Sequence, residues 1–88
     1  MKELLISLAS GLVENPSEVQ VTVDEPNEEG VTVYHLHVAE GVTVYHLHVA
    51  ESDMGRVIGK QGRIANAIRV VMRAAANRSG DKVMVEID

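Results

Sequence analysis

The chain has no cysteine, no phenylalanine and no tryptophan, and it has only two prolines among 88 residues. Without cysteine there is no disulfide and no thiolate metal site. Tyr34 and Tyr45 are the only large aromatic side chains. RNA readers that stack bases on aromatic platforms, such as the RRM and OB types, need more than this. The scarcity excludes such platforms better than it excludes nucleic acid in general. No apolar run approaches membrane-spanning length. The opening Met1-Lys2-Glu3-Leu4-Leu5-Ile6-Ser7 carries an acid early and soon turns polar. It fits an amphipathic helix better than a secretory signal. The expectation is one small cytoplasmic domain over residues 1–88, with a thin core and no membrane partner.

Basic residues are few over the first half and concentrated later. Net charge is −5. Residues 1–51 hold one Lys against nine acids, net −8. Residues 52–80 hold six cations, Arg56, Lys60, Arg63, Arg69, Arg73 and Arg78, against Asp53 alone, net +5. An anion is steered to that segment and repelled elsewhere. The plain alternative is a solvated helix face, since Arg is a good helix former.

Within the basic segment lies Val57-Ile58-Gly59-Lys60-Gln61-Gly62-Arg63-Ile64. Two glycines flank two polar residues, and an apolar helical pattern lies on either side. The layout is helix, tight exposed turn, helix. A P-loop reading fails, because Gly55 and Gly59 are separated by three residues instead of four. Gln61 also stands where Ser or Thr should follow the lysine. No nucleophile or general-base constellation is visible, so an enzyme is not expected.

Leu4, Leu5, Leu8 and Leu12 mark a first helix over 3–14, stopped by Asn15-Pro16. Val19, Val21 and Val23 alternate as a strand, and 24–30 read as a loop. Ser52 is suited to cap a short helix running to Ile58. Ile64, Ala67, Ile68, Val71, Met72 and Ala75 form the stripe of a long helix ended by Ser79-Gly80. Val83, Val85 and Ile87 form a last strand. The expected core is Leu5, Leu8, Leu12, Tyr45, Leu47, Ile64, Ile68, Val71, Val83 and Val85.

Between the first strand and the short helix, EGVTVYHLHVA at 29–39 recurs unchanged at 40–50. Such a repeat suggests recent duplication or deliberate engineering. Each copy alternates as a strand. An uninterrupted strand would bury one copy's apolar face and expose the other's, so a turn at Ala39-Glu40-Gly41 is expected. A three-residue loop suits the glycine but opposes the faces. A four-residue loop pairs Leu36 with Tyr45 and Tyr34 with Leu47, and the faces agree. The second copy is expected in the regular strand position. The first is expected to form a hairpin with it or to pair with another chain at an edge, with a lean toward a homodimer.

With one copy set aside the order is α-β-β-α-α-β. That order, together with VIGKQGRIANAIR at 57–69, resembles a type II KH domain. More narrowly, it resembles the small stand-alone bacterial KH-domain RNA-binding proteins. The resemblance implies an α+β fold: a mixed three-stranded sheet with helices on one face, plus one extra copy of the second strand. It also implies single-stranded RNA bound across the G-x-x-G loop. The expected RNA-binding residues are Arg56, Ile58, Gly59, Lys60, Gln61, Gly62, Arg63 and Ile68. The glycines would let a sugar-phosphate chain approach the backbone. Gly62 would open the long helix at its positive end. Lys60, Arg63 and Arg56 would supply charge, and Ile58 and Ile68 would wall an aliphatic groove. No cofactor is expected. The alternative function is a scaffold or oligomerising protein whose extra strand is the point.

His35 and His37 share one strand face, as do His46 and His48. Side by side, the two copies could gather four imidazoles, which suit Zn, Cu or Ni. The expectation is plainer. Tyr45, Leu47 and Val49 take the apolar face, so His46 and His48 face water and hold no metal.

Overall fold

The computed structural model describes residues 1–88. Three α-helices are present: α1 (Lys2–Ser10), α2 (Met54–Ile58) and α3 (Arg63–Arg78). Five strands accompany them: β1 (Gln20–Asp24), β2 (Val31–Tyr34), β3 (His37–Glu40), β4 (Val42–His48) and β5 (Lys82–Ile87). The main sheet has the order β1-β4-β5, with β1 antiparallel and β5 parallel to the central β4. The parallel step from β4 to β5 needs a crossover, and α2 with α3 supplies it.

The second copy of the repeat therefore takes the central strand position, as expected. Tyr45 and Leu47 turn toward the helices. They pack with Val21 and Val85 against Leu5, Ala9, Val57, Ile68 and Met72. This is the core, and all the long helices lie on that one face.

The first copy does something else. It does not form an extra sheet strand, nor does it pair with the second copy as a ladder. It folds back on itself, β2 against β3, with Val33 opposite Val38 and Tyr34 opposite His37. The turn is His35-Leu36, not Ala39-Glu40-Gly41, and both residues have positive φ, 43° and 65°. Two successive positive-φ residues make the type I′ turn, whose twist matches a hairpin. The same eleven residues are thus straight in one copy and sharply reversed in the other. The second copy is held extended by a strand on each side. The first has neither neighbour and satisfies its amides by pairing with itself. The unpaired strand that was expected to recruit another chain is paired within the chain.

This hairpin lies on the outer face of the main sheet, away from the helices. The Thr32 hydroxyl donates to the Val42 carbonyl. The Tyr34 hydroxyl donates to Met84 Sδ at 3.2 Å. Thr32 on the hairpin's inner side and Val44 beneath it are buried, and His46 keeps only 5% of its surface. His46 therefore does not face water as its strand parity suggested, because a second layer covers it.

Two boundaries and one buried stripe differ from the sequence reading. The first helix stops at Ser10, ahead of Asn15-Pro16, with Gly11 as its C-cap. The second helix begins after Asp53, and Ser52 makes no capping hydrogen bond. The buried stripe of α3 is Ala65, Ile68, Met72 and Ala76. It is rotated from the expected one: Val71 is 41% exposed, and Ile64, Leu8, Leu12 and Val83 are half-buried.

Candidate nucleic-acid interface

The α2–α3 corner is built by glycine geometry. Gly59 closes α2 at φ 74°, ψ 173°, a region open to essentially no other residue. A Cβ there would also lie 2.6 Å from Ile64 Cγ1. Gln61 and Gly62 follow in the left-handed region, at φ 58° and 73°. Open space surrounds the missing Cβ of Gly62. The Gly62 amide is taken by the Gly59 carbonyl at 3.2 Å, and the Arg63 amide by that of Lys60. These two amides serve the loop itself. What the corner presents outward is the side chains of Lys60 and Gln61, both exposed, and the positive end of α3.

The other expected site residues divide. Arg63 stands beside the loop and donates to Gln61 Oε1 at 3.3 Å. Ile58 is exposed on the last turn of α2. Arg56 is committed elsewhere: its Nη2 donates to Glu14 Oε1 at 2.6 Å, and its Nε lies 3.9 Å from Asp53. Ile68 is 4% exposed and packs in the core, while its edge lines an apolar groove that also includes Arg63.

Two features of the corner escaped the sequence reading. The first is Asp53, a carboxylate 1% exposed at the start of α2. It accepts the backbone N–H groups of Glu14 at 3.0 Å and Asn15 at 3.1 Å, and the Asn15 side-chain amide at 3.0 Å. The Glu14 amide and then the Asn15 side chain hold its pKa below the ordinary carboxylate value, with Arg56 adding to them. The segment after α1 is thereby fastened to the helix that carries the glycine turn. A lone Asp beside a short helix gave no sign of this.

The second is a groove between α3 and β5. Arg69, Arg73, Val83, Met84 and Val85 line a cavity of about 210 Å³. Arg69 Nε donates to the Val85 carbonyl at 3.2 Å. Helical spacing puts positions 66, 69 and 73 on the face of α3 that its N-cap Gly62 begins, so this groove lies on the same side as the glycine corner. The signal was present as a basic run, but which face it took required the helix rotation. An apolar groove on the other side of α3 is lined by Leu8, Leu12, Ile64, Ala67, Ile68 and Val71, with Arg63 at its loop end. No helix of the chain is long and apolar enough to cross a membrane.

Residues 2–87 match the family described as "KhpA/KhpB, KH domain". A protein of Clostridium acetobutylicum named "RNA-binding protein KhpA" is 46% identical over 87 residues, covering 99% of both chains. Its namesake in Listeria monocytogenes is 38% identical, over 99% of this chain and 97% of the relative. Among solved structures, Aquifex aeolicus Era bound to GDP.AlF4- superposes with a TM-score of 0.61 at 21% identity. Era in complex with MgGDPNP and nucleotides 1506-1542 of 16S ribosomal RNA gives 0.59 at 19% identity. In each case 97% of this chain is covered but only 28% of the Era chain, so the likeness is one of fold. The chain belongs to the KhpA/KhpB KH-domain family.

Proposed function

We propose that this chain binds single-stranded RNA, without catalysis, with the sugar-phosphate backbone crossing the Gly59–Gly62 loop. The observation that carries the reading is the corner itself. It combines a glycine-only bend, an exposed lysine at its tip and the positive end of a helix, inside the one basic segment of an acidic chain. Lys60 and Arg63 meet phosphates first. Arg69 and Arg73 extend the track, and bases fall toward Val83 and Met84, where shape and edge hydrogen bonds read them. Arg56 contributes by bracing α2 against Glu14 instead of meeting the strand. The relatives' names agree in kind.

Replacing Lys60 and Gln61 by Asp, with binding of a short single-stranded oligonucleotide followed by fluorescence anisotropy, tests the loop. Binding should vanish while the circular dichroism spectrum stays unchanged. With roughly three phosphates neutralised, the parent's log–log salt slope should be about −2. Equal binding by parent and double variant sinks the proposal.

Self-association is a second reading, favoured by one observation. Val33, Leu36 and Val38 lie exposed together on the hairpin. Sedimentation at low micromolar concentration separates a monomer from a dimer through this face.

A further inference from the structure

The hairpin brings together two histidines that occupy the same place in the two copies. His35 is the first residue of the β2–β3 turn, and His46 is the buried histidine of β4 beneath it. Their rings are 5.1 Å apart, tilted by 67°. Glu86, the cross-strand neighbour of His46 on β5, completes the group. One ligand atom from each of the three falls within 4.8 Å of the others.

His46 lies between two carboxylates, with one ring nitrogen turned to each. Its Nε2 lies 2.7 Å from Asp24 Oδ2. An ionised carboxylate only accepts, so Nε2 carries the hydrogen. Nδ1 is the other nitrogen of the ring. It faces Glu86 Oε2 at 3.1 Å, and His35 Nε2 faces the same oxygen at 3.4 Å. One carboxylate oxygen is thus approached by a ring nitrogen from each copy, and a divalent cation among the three would take one donor atom from each. A carboxylate holding the far nitrogen of a histidine is also the usual support of a metal-bound imidazole. The two nitrogen–oxygen spacings, 3.1 and 3.4 Å, agree with a tetrahedron, whose bonds of about 2.0–2.1 Å set donor atoms roughly 3.3 Å apart.

We infer that His35, His46 and Glu86 form a zinc(II) site, with Asp24 orienting His46 and water in the fourth position. Two imidazoles and a carboxylate are a zinc donor set. The ion would fasten the hairpin, contributed by the first copy, to the sheet that contains the second. The repeat then has a chemical consequence that one copy alone cannot supply, since His35 and His46 come from different copies. The site is separate from the glycine corner, and nothing in it depends on RNA.

The test is calorimetric titration of the chain with zinc chloride, repeated with cobalt(II) to read the visible absorption of a tetrahedral centre. One ion per chain is expected, with slower amide exchange over 31–40 when zinc is present. H35A removes a turn residue whose side chain is mostly exposed, so the fold survives it. E86Q keeps the shape and removes the charge. Both should weaken zinc binding by roughly tenfold or more, whereas H37A should not. Absence of stoichiometric binding overturns the proposal. Equal binding by H35A and parent, or equal loss with H37A, overturns it as well.

Discussion

The side chain of Ile64 occupies the space that a Cβ on Gly59 would need, with three of its carbons 2.6 to 2.9 Å from that position. The first turn of α3 is therefore seated directly against the residue that caps α2. The tightness of the corner comes from this contact as much as from the turn residues. Gly62 has no such neighbour, only a left-handed backbone. The two glycines of one motif thus stand on different physical grounds.

Substitution should separate them. Gly59→Ala meets both a glycine-only backbone, worth about 1–3 kcal/mol by itself, and a collision with Ile64. Gly62→Asn meets only a left-handed conformation, which Asn adopts readily. Urea unfolding should show the larger loss at Gly59. Equal losses would mean that Ile64 moves aside freely and the corner is looser than described.

The hairpin turn offers the opposite experiment. Leu36 is 98% exposed and sits at φ 65°. It packs on nothing and holds a conformation that strains a branched side chain. Leu36→Gly should stabilise the hairpin by about 0.5–1 kcal/mol, seen as slower amide exchange over 31–40. Faster exchange would show that the first copy does not reverse at His35-Leu36.

Asp53 predicts a pH dependence. Its folded pKa is lowered, chiefly by the Glu14 amide and then by Asn15. The fold therefore prefers the ionised form. The stabilisation is complete above the ordinary carboxylate value of 3.8 and is lost as pH falls through the lower folded value. D53N should be less stable than the parent at neutral pH, and the gap should narrow only below 3.8. A gap that is constant into acid would remove Asp53 from the role of clamp between α1 and α2.

The legible parts of this chain were those where local pattern and tertiary context agree. The glycine corner, the strand at 42–48 and the order of the main elements followed from spacing and punctuation alone. The repeat did not, and could not by local argument. Residues 35–36 and 46–47 are both His-Leu, yet one pair turns and the other continues. Only the flanking strands β1 and β5 distinguish them, and those are tertiary. The burial of His46 failed for the same reason, since strand parity assumes an open outer face. The α3 stripe was misjudged by about one residue's rotation. Ile64, Ala67 and Val71 are apolar but line an open groove, and an apolar side chain does not reveal whether anything covers it.

The central claim is that one continuous track runs from the glycine corner along α3 to β5. Chemical-shift mapping by NMR, with a short single-stranded RNA titrated into labelled protein, tests it most directly. Shifts are expected at the amides of 59–63, at Asn66, Arg69 and Arg73, and along Val83–Val85, with Val33 and Val38 on the exposed face of the hairpin unmoved. Shifts confined to the hairpin, or to the groove of Leu8, Leu12 and Val71, with 59–63 silent, would contradict it.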